Sequence, residues 1–148
     1  MATATFYIIQ PDSEQTQETG LIRYAIYLAQ HFASQNARVY INAHDKAQAE
    51  SIDEMIWQLE PEQFQPHNLV GEGPHYSTMI EIGYSKLKPH RNRQLFINLA
   101  NDHTNFAHTL AQVVDFVPCD EKAKQLARER YKIYRQAGYQ MEKFDIQS

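Results

Sequence analysis

Cysteine is nearly absent from the sequence, and so are the residue spacings that bind metals. Cys119 is the single cysteine among 148 residues, which excludes an internal disulfide and a zinc site built on paired cysteines. The seven histidines show none of the HxxxH, HxxH or HxH spacings typical of metal ligands. We therefore expect no metal site, and the unpaired cysteine favours the reducing cytoplasm as the protein's location.

Long apolar runs and an excess of basic charge are also missing. The N-terminal apolar run lasts roughly six residues before Gln10 and Pro11, which is too short for a signal peptide or a membrane span. The net charge is −4 and the pI is about 5.9, which argues against a protein that coats DNA or a membrane with its whole surface. We expect no membrane partner, and any binding of an anion must be local.

The loops that bind nucleotide phosphates are missing as well. The chain has no GxxxxGK[ST] sequence, and residues 10–20, where a GxGxxG would be expected, contain only Gly20. The glycines of GEGP, residues 71–74, are not followed by a predicted helix whose N-terminus could face a phosphate. Ser77, Ser85 and Cys119 lack the sequence signature of an activated nucleophile. We therefore expect no cofactor. Catalysis has no support in the sequence, although a catalytic triad can form from residues that are distant in the chain.

Hydrophobic periodicity predicts alternating strands and helices from the start of the chain. Residues 3–9 and 37–43 are β-branched and aromatic, as in buried strands, and residues 18–35 place apolar groups at helical spacing. Asp45 is predicted to cap a second helix whose core stripe ends at Leu59. An order of strand, helix, strand, helix is typical of parallel sheets with right-handed crossovers.

The rest of the chain continues this pattern without a linker or a repeat. The further predicted elements are a loop at 61–74, strands at 79–85 and 93–100, a short helix at 104–112, a last strand at 113–118 and a helix at 120–137. Gly138 suits the residue after that helix, because glycine readily adopts the left-handed conformation. We predict one domain, residues 1–148, with an open, three-layer, mostly parallel, Rossmann-like sheet that has helices on both faces and no phosphate-binding loop.

Positive charge is concentrated in the predicted C-terminal helix. Between Lys122 and Arg135 the sequence has six lysines or arginines and one acid, Glu129. A helical wheel gives this helix a cationic face with a tyrosine in it, made of Lys124, Arg128, Tyr131, Lys132 and Arg135. A face that is merely solvated would mix charges of both signs. The stripe therefore predicts an anionic partner, for which nucleic acid is the first candidate.

The other side of the same wheel is the predicted core face. Its apolar members are Leu126, Ile133, Tyr134 and Ala137. Arg130 also falls on this side, and we expect it to extend to the edge of the core or to pair with an acid such as Asp115.

Trp57 is predicted to lie outside the core, because it is about 140° from Ile52 around the second predicted helix, away from the core stripe. Phe64 follows seven residues later in a loop that contains prolines. Two alternatives are open at this point. The two aromatics can form an anchor for a protein partner, or Trp57 can pack beneath its own loop.

Three long segments carry a family resemblance. They are ATFYII at the start, DEMIWQLEPEQFQPHNLVGEGP in the middle and VVDFVPCDEKAKQLARERYKIYRQAGY near the end. Together they resemble the chi subunits of the bacterial DNA polymerase III holoenzyme, over nearly the full length of the chain. Residues 11–20, 75–79, 86–92 and the tail after Tyr139 match poorly, and we assign no function to them.

The resemblance implies a non-catalytic accessory subunit of the clamp-loader complex. It implies binding of the psi subunit through Trp57 and Phe64, and binding of the acidic C-terminal tail of single-stranded DNA-binding protein through the basic helix. The residues of this tail site are Val117, Lys124, Arg128, Tyr131, Lys132 and Arg135. Contact with DNA would then be indirect. Direct binding of single-stranded nucleic acid by the same face is the alternative. It requires several stacking aromatics, whereas the stripe offers chiefly Tyr131.

Overall fold

The computed structural model describes residues 2–59, 67–69, 79–84, 94–100 and 111–146. Most of the helix predicted at 104–112 lies outside the described residues. So does most of the loop predicted at 61–74, including Phe64.

A parallel sheet of seven strands organises the described part of the chain. The strands are β1 Thr3–Ile8, β2 Val39–Ala43, β3 His67–Leu69, β4 Ile80–Tyr84, β5 Leu95–Asn98, β6 Gln112–Val117 and β7 Gln140–Asp145. Their order across the sheet is β3-β4-β2-β5-β6-β1-β7, and each described pair is parallel. The predicted open, mostly parallel sheet is therefore confirmed.

Three predictions about the strands are wrong. Strand β6 is not the last strand, because β7 follows the C-terminal helix and pairs with β1 at the sheet edge. A short strand, β3, lies inside the segment predicted to be a loop. Gln112, predicted to end a helix, begins β6 instead.

Helices cover both faces of the sheet, which confirms the three-layer architecture. They are α1 Glu18–Ser34, α2 Lys46–Trp57 and α3 Glu121–Gln136, with a 3-10 turn at Glu14–Thr16. Buried residues of α1 and α2 share one core cluster with alternate side chains of the sheet. Tyr134 of α3 packs on the opposite face with Phe6, Tyr40 and Phe96.

The helix ends follow the predicted local chemistry. Asp45 accepts a hydrogen bond from the backbone N–H of Gln48 at 2.8 Å and so caps α2. Asp120 accepts one from the N–H of Ala123 at 3.0 Å and caps α3. Such caps satisfy N–H groups that have no partner inside the helix. Gly138 ends α3 with a φ of +99°, which is the left-handed conformation expected there.

A buried polar network joins α3 to the sheet. The Arg130 Nε donates to Asp115 Oδ2 at 2.8 Å, and its Nη2 donates to Oδ1 at 3.0 Å. The Tyr134 hydroxyl and the Asn98 amide also donate to Asp115 Oδ2, and Asn42 donates to Asn98. The expected pairing of Arg130 with Asp115 is confirmed, and a two-point contact of this kind fixes orientation as well as distance.

The core face of α3 is rotated from the predicted one. Ala127, Arg130 and Tyr134 are buried, whereas Ile133 is 38% exposed and Ala137 is exposed. The physical reason is the Asp115 carboxylate, which accepts two hydrogen bonds from the buried Arg130 guanidinium. This ion pair favours the helix rotation in which Arg130 faces β6.

Gly20 is needed for the contact between α1 and the 3-10 turn. A Cβ at this position would overlap the carbonyl group of Glu14. We expect Gly20→Ala to lower the free energy of unfolding by about 1–3 kcal/mol, the usual cost of overpacking. Urea denaturation measures this, with Thr19→Ala as the exposed neighbouring control. Equal stability of the two variants would contradict the close packing.

Candidate functional site

A cleft runs between helix α3 and the strands beneath it. Phe6 and Ile8 of β1 and Val117 of β6 lie along it, and Lys143 of β7 lines it as well. Its volume is about 410 Å³, which is within the range of small-ligand pockets. Each of the six residues predicted from the basic stripe and the resemblance lines this cleft: Val117, Lys124, Arg128, Tyr131, Lys132 and Arg135.

The walls of the cleft are cationic. The Lys124 Nζ lies 3.7 Å from the Glu121 Oε1, one turn earlier in α3, so part of the lysine's charge is balanced. Arg128, Lys132 and Arg135 are exposed and form no ion pair with any residue in the described ranges. Unbalanced cations at a concave surface attract anions more strongly than the same charges on a convex one.

Tyr131 provides an aromatic surface inside the cleft. Its ring is half-buried and packs on Phe6 with the ring centroids 5.3 Å apart and the planes inclined by 59°. The Lys143 Nζ lies 5.4 Å from the centroid of the same ring, within the distance of a cation–π contact. The cleft therefore offers apolar contact and positive charge side by side.

Sequence reasoning missed five residues that line this cleft, namely Phe6, Ile8, Gln125, Ala127 and Lys143. The first two belong to a strand that was correctly predicted, but no sequence pattern pairs β1 with α3. Lys143 belongs to β7, whose exposed, mostly polar side chains give no burial signal. No alternation in QMEKFD indicates a strand, because its two apolar residues, Met141 and Phe144, are three positions apart.

A second surface lies at the end of α2. Trp57 is 61% exposed, and its ring centroid lies 4.9 Å from that of His67 on β3. The His67 side chain is fully buried, with its Nε2 3.3 Å from Asp53 Oδ1. The tryptophan is thus supported on one side by a buried histidine and is largely exposed to solvent on the other. Phe64 lies outside the described residues.

Other functional classes find no support in the described ranges. No group of three or more histidine, cysteine, aspartate or glutamate side chains there could hold a metal ion. Among the same residues, no helix has the length and apolar character needed to cross a membrane.

The fold and these surfaces define a Rossmann-like α/β protein. It has a cationic cleft on one face of the sheet and an exposed tryptophan on a helix of the other face. The model of the family "DNA polymerase III chi subunit, HolC" matches residues 1–142. The chain belongs to this family, as the resemblance in its sequence indicated.

Three relatives named DNA polymerase III subunit chi cover almost the whole chain. The protein from Escherichia coli (strain K12) is 37% identical over 141 residues, 95% of this chain and 96% of the relative. The protein from Haemophilus influenzae is 40% identical over 139 residues, 94% of each chain. The protein from Pseudomonas aeruginosa is 28% identical over 142 residues, 96% of this chain and 95% of the relative.

Proposed function

We propose that the chain is a non-catalytic adaptor in the cytoplasm that connects two parts of the replication machinery. One partner is the psi subunit of the clamp-loader complex, bound at Trp57 and Phe64. The other is the acidic C-terminal tail of single-stranded DNA-binding protein, bound in the cleft. The observation that carries the proposal is the convergence of Val117, Tyr131 and four cations of α3 on one peptide-sized cleft.

The chemistry of the cleft fits such a tail. The family resemblance implies a flexible peptide that is rich in aspartate and ends in Pro-Phe with a free carboxylate. The carboxylates would pair with Arg128, Lys132 and Arg135, while the phenylalanine would pack near Val117 and Tyr131. Arginine suits this role because its planar guanidinium can bind a carboxylate at two points.

The expected affinity is modest. Exposed ion pairs contribute about 0.2–1 kcal/mol each, and burial of one phenylalanine contributes about 1.5–3 kcal/mol. Ordering of a flexible tail opposes binding, which leaves a Kd on the order of micromolar. Because much of the interaction is between exposed charges, the affinity should fall as the salt concentration rises. A contact of this strength can exchange while the replication fork moves.

Direct binding of single-stranded nucleic acid is less well supported. Such sites stack successive bases on several accessible aromatic rings. In the cleft Tyr131 is half-buried and Phe6 is fully buried, so the lining residues present one accessible ring. Any contact with DNA is then indirect, through the protein that coats it.

Arg128→Ala tests the cleft. We expect it to weaken binding of a peptide ending in Asp-Asp-x-Pro-Phe by about three- to tenfold, because one carboxylate loses its charged partner. Isothermal titration calorimetry at fixed salt measures the effect. Lys122→Ala is the matched control, because Lys122 is an exposed cation of α3 outside the cleft lining. Equal affinities of wild type and Arg128→Ala would overturn the assignment of the site.

A further inference from the structure

Lys143 forms the side of the cleft that faces helix α3. It lies on β7, and in the parallel register it is opposite Phe6 of β1. Side chains alternate across a strand, so Lys143 projects to the same face of the sheet as Phe6, the face covered by α3. The cleft thus has cations on two separate elements, a helix on one side and the edge strand on the other.

The surroundings of Lys143 leave its charge available. Its Nζ lies 5.4 Å from the Tyr131 ring centroid, and within the described ranges no carboxylate forms an ion pair with it. On its own strand, Glu142 projects to the opposite face of the sheet. Asp145 lies two residues away on the same face, opposite Ile8 of β1. The interaction that positions the ammonium group is therefore with an aromatic ring inside the cleft.

The ring is also the surface on which an aromatic side chain of a ligand would pack. Such a ligand competes with the ammonium group for the space over Tyr131. A displaced ammonium group needs a new partner, and a carboxylate on the same peptide supplies one. Exchange of a cation–π contact for an ion pair thus links recognition of the aromatic group to recognition of the acidic residue beside it.

We propose that Lys143 is a binding residue of the cleft, which pairs with an aspartate carboxylate of the acidic peptide from the strand side while Arg128 and its neighbours bind from the helix side. This inference rests on the proposed function, because it assumes that an acidic peptide with an aromatic end occupies the cleft. It adds a fifth cation to the site and makes β7 part of it.

The test compares two peptides with four proteins. The peptides end in Asp-Asp-x-Pro-Phe and Asn-Asn-x-Pro-Phe, and the proteins are wild type, Lys143→Ala, Lys143→Arg and Arg128→Ala. We expect Lys143→Ala to weaken binding of the acidic peptide by about two- to fivefold. Binding of the asparagine peptide should not weaken, because that peptide has no aspartate for the lysine to pair with. Lys143→Arg should retain nearly wild-type affinity, because the charge and the cation–π contact are both kept.

The possible outcomes separate this inference from the proposed function. Wild-type affinity of Lys143→Ala for the acidic peptide, together with a loss for Arg128→Ala, overturns the role of Lys143 alone. Wild-type affinity of both variants overturns the site. An equal loss for both peptides in Lys143→Ala would mean that the lysine either holds Tyr131 or pairs with the terminal carboxylate that both peptides carry, and each result overturns its pairing with an aspartate. Glu142→Gln, on the other face of β7, and thermal unfolding of each variant control for damage to the strand.

Discussion

Arg130→Ala is expected to lower the free energy of unfolding by about 3–5 kcal/mol, because it leaves a buried carboxylate without its charged partner. Both side chains of the pair are almost inaccessible, with Arg130 3% exposed and Asp115 1% exposed. The Tyr134 hydroxyl and the Asn98 amide still donate to the carboxylate after the substitution, but neither carries a charge. A loss of this size approaches the whole stability of an ordinary domain.

Urea denaturation followed by circular dichroism measures the effect. Arg128→Ala is the matched control, since it removes the same side chain from the exposed face of the same helix and should change stability by less than about 0.5 kcal/mol. The double variant Asp115→Asn with Arg130→Met should recover part of the loss, because removal of both charges is less costly than removal of one. If Arg130→Ala were as stable as Arg128→Ala, the ion pair would not hold the helix.

The same network determines which residues of α3 reach the cleft. Arg130 and Tyr134 bind Asp115 on β6, so the helix is held at one rotation over the sheet. Tyr131 and Arg128 then turn toward β1 and β7, and Ile133 turns toward solvent. The buried ion pair is thus a structural requirement of the cationic site, although it is not part of its surface.

Much of the fold could be predicted from local sequence signals. The first two strands and helices have strong periodicity, and Asp45 and Gly138 mark helix ends by the chemistry of capping. These features depend on residues close together in the chain. For the same reason, the cationic stripe of α3 was visible on a helical wheel without any knowledge of what it faces.

The rest depends on contacts between distant parts of the chain. Strand β7 lies at the sheet edge with exposed side chains from Glu142 to Asp145, so hydrophobicity does not reveal it. The rotation of α3 follows from one carboxylate on β6. The helical wheel placed Arg130 on the core side, but it could not show how far the pairing with Asp115 turns the helix. Phe6, Ile8 and Lys143 join the cleft for the same reason, because tertiary packing alone brings β1 and β7 next to α3.

Trp57→Ala is expected to weaken binding of the psi subunit by about thirtyfold or more, which corresponds to about 2 kcal/mol. Tryptophans that are exposed in the free protein and buried in a complex are among the strongest anchors of protein interfaces. Here the indole packs against the buried His67 ring, and His67 in turn lies near Asp53. Because the indole is already positioned in the free protein, it loses little conformational freedom when a partner covers it. Surface plasmon resonance with immobilised psi measures the change.

Tyr27→Ala is the control for this experiment, because Tyr27 is also 61% exposed but lies on α1, outside the proposed surface. A loss of affinity as large in Tyr27→Ala as in Trp57→Ala would contradict a specific anchor at the end of α2.

The two proposed sites can also be compared directly, since α2 and α3 pack on opposite faces of the sheet. Trp57→Ala should bind the acidic peptide like wild type, and Arg128→Ala should bind psi like wild type. An adaptor requires this independence, because it must bind both partners at once.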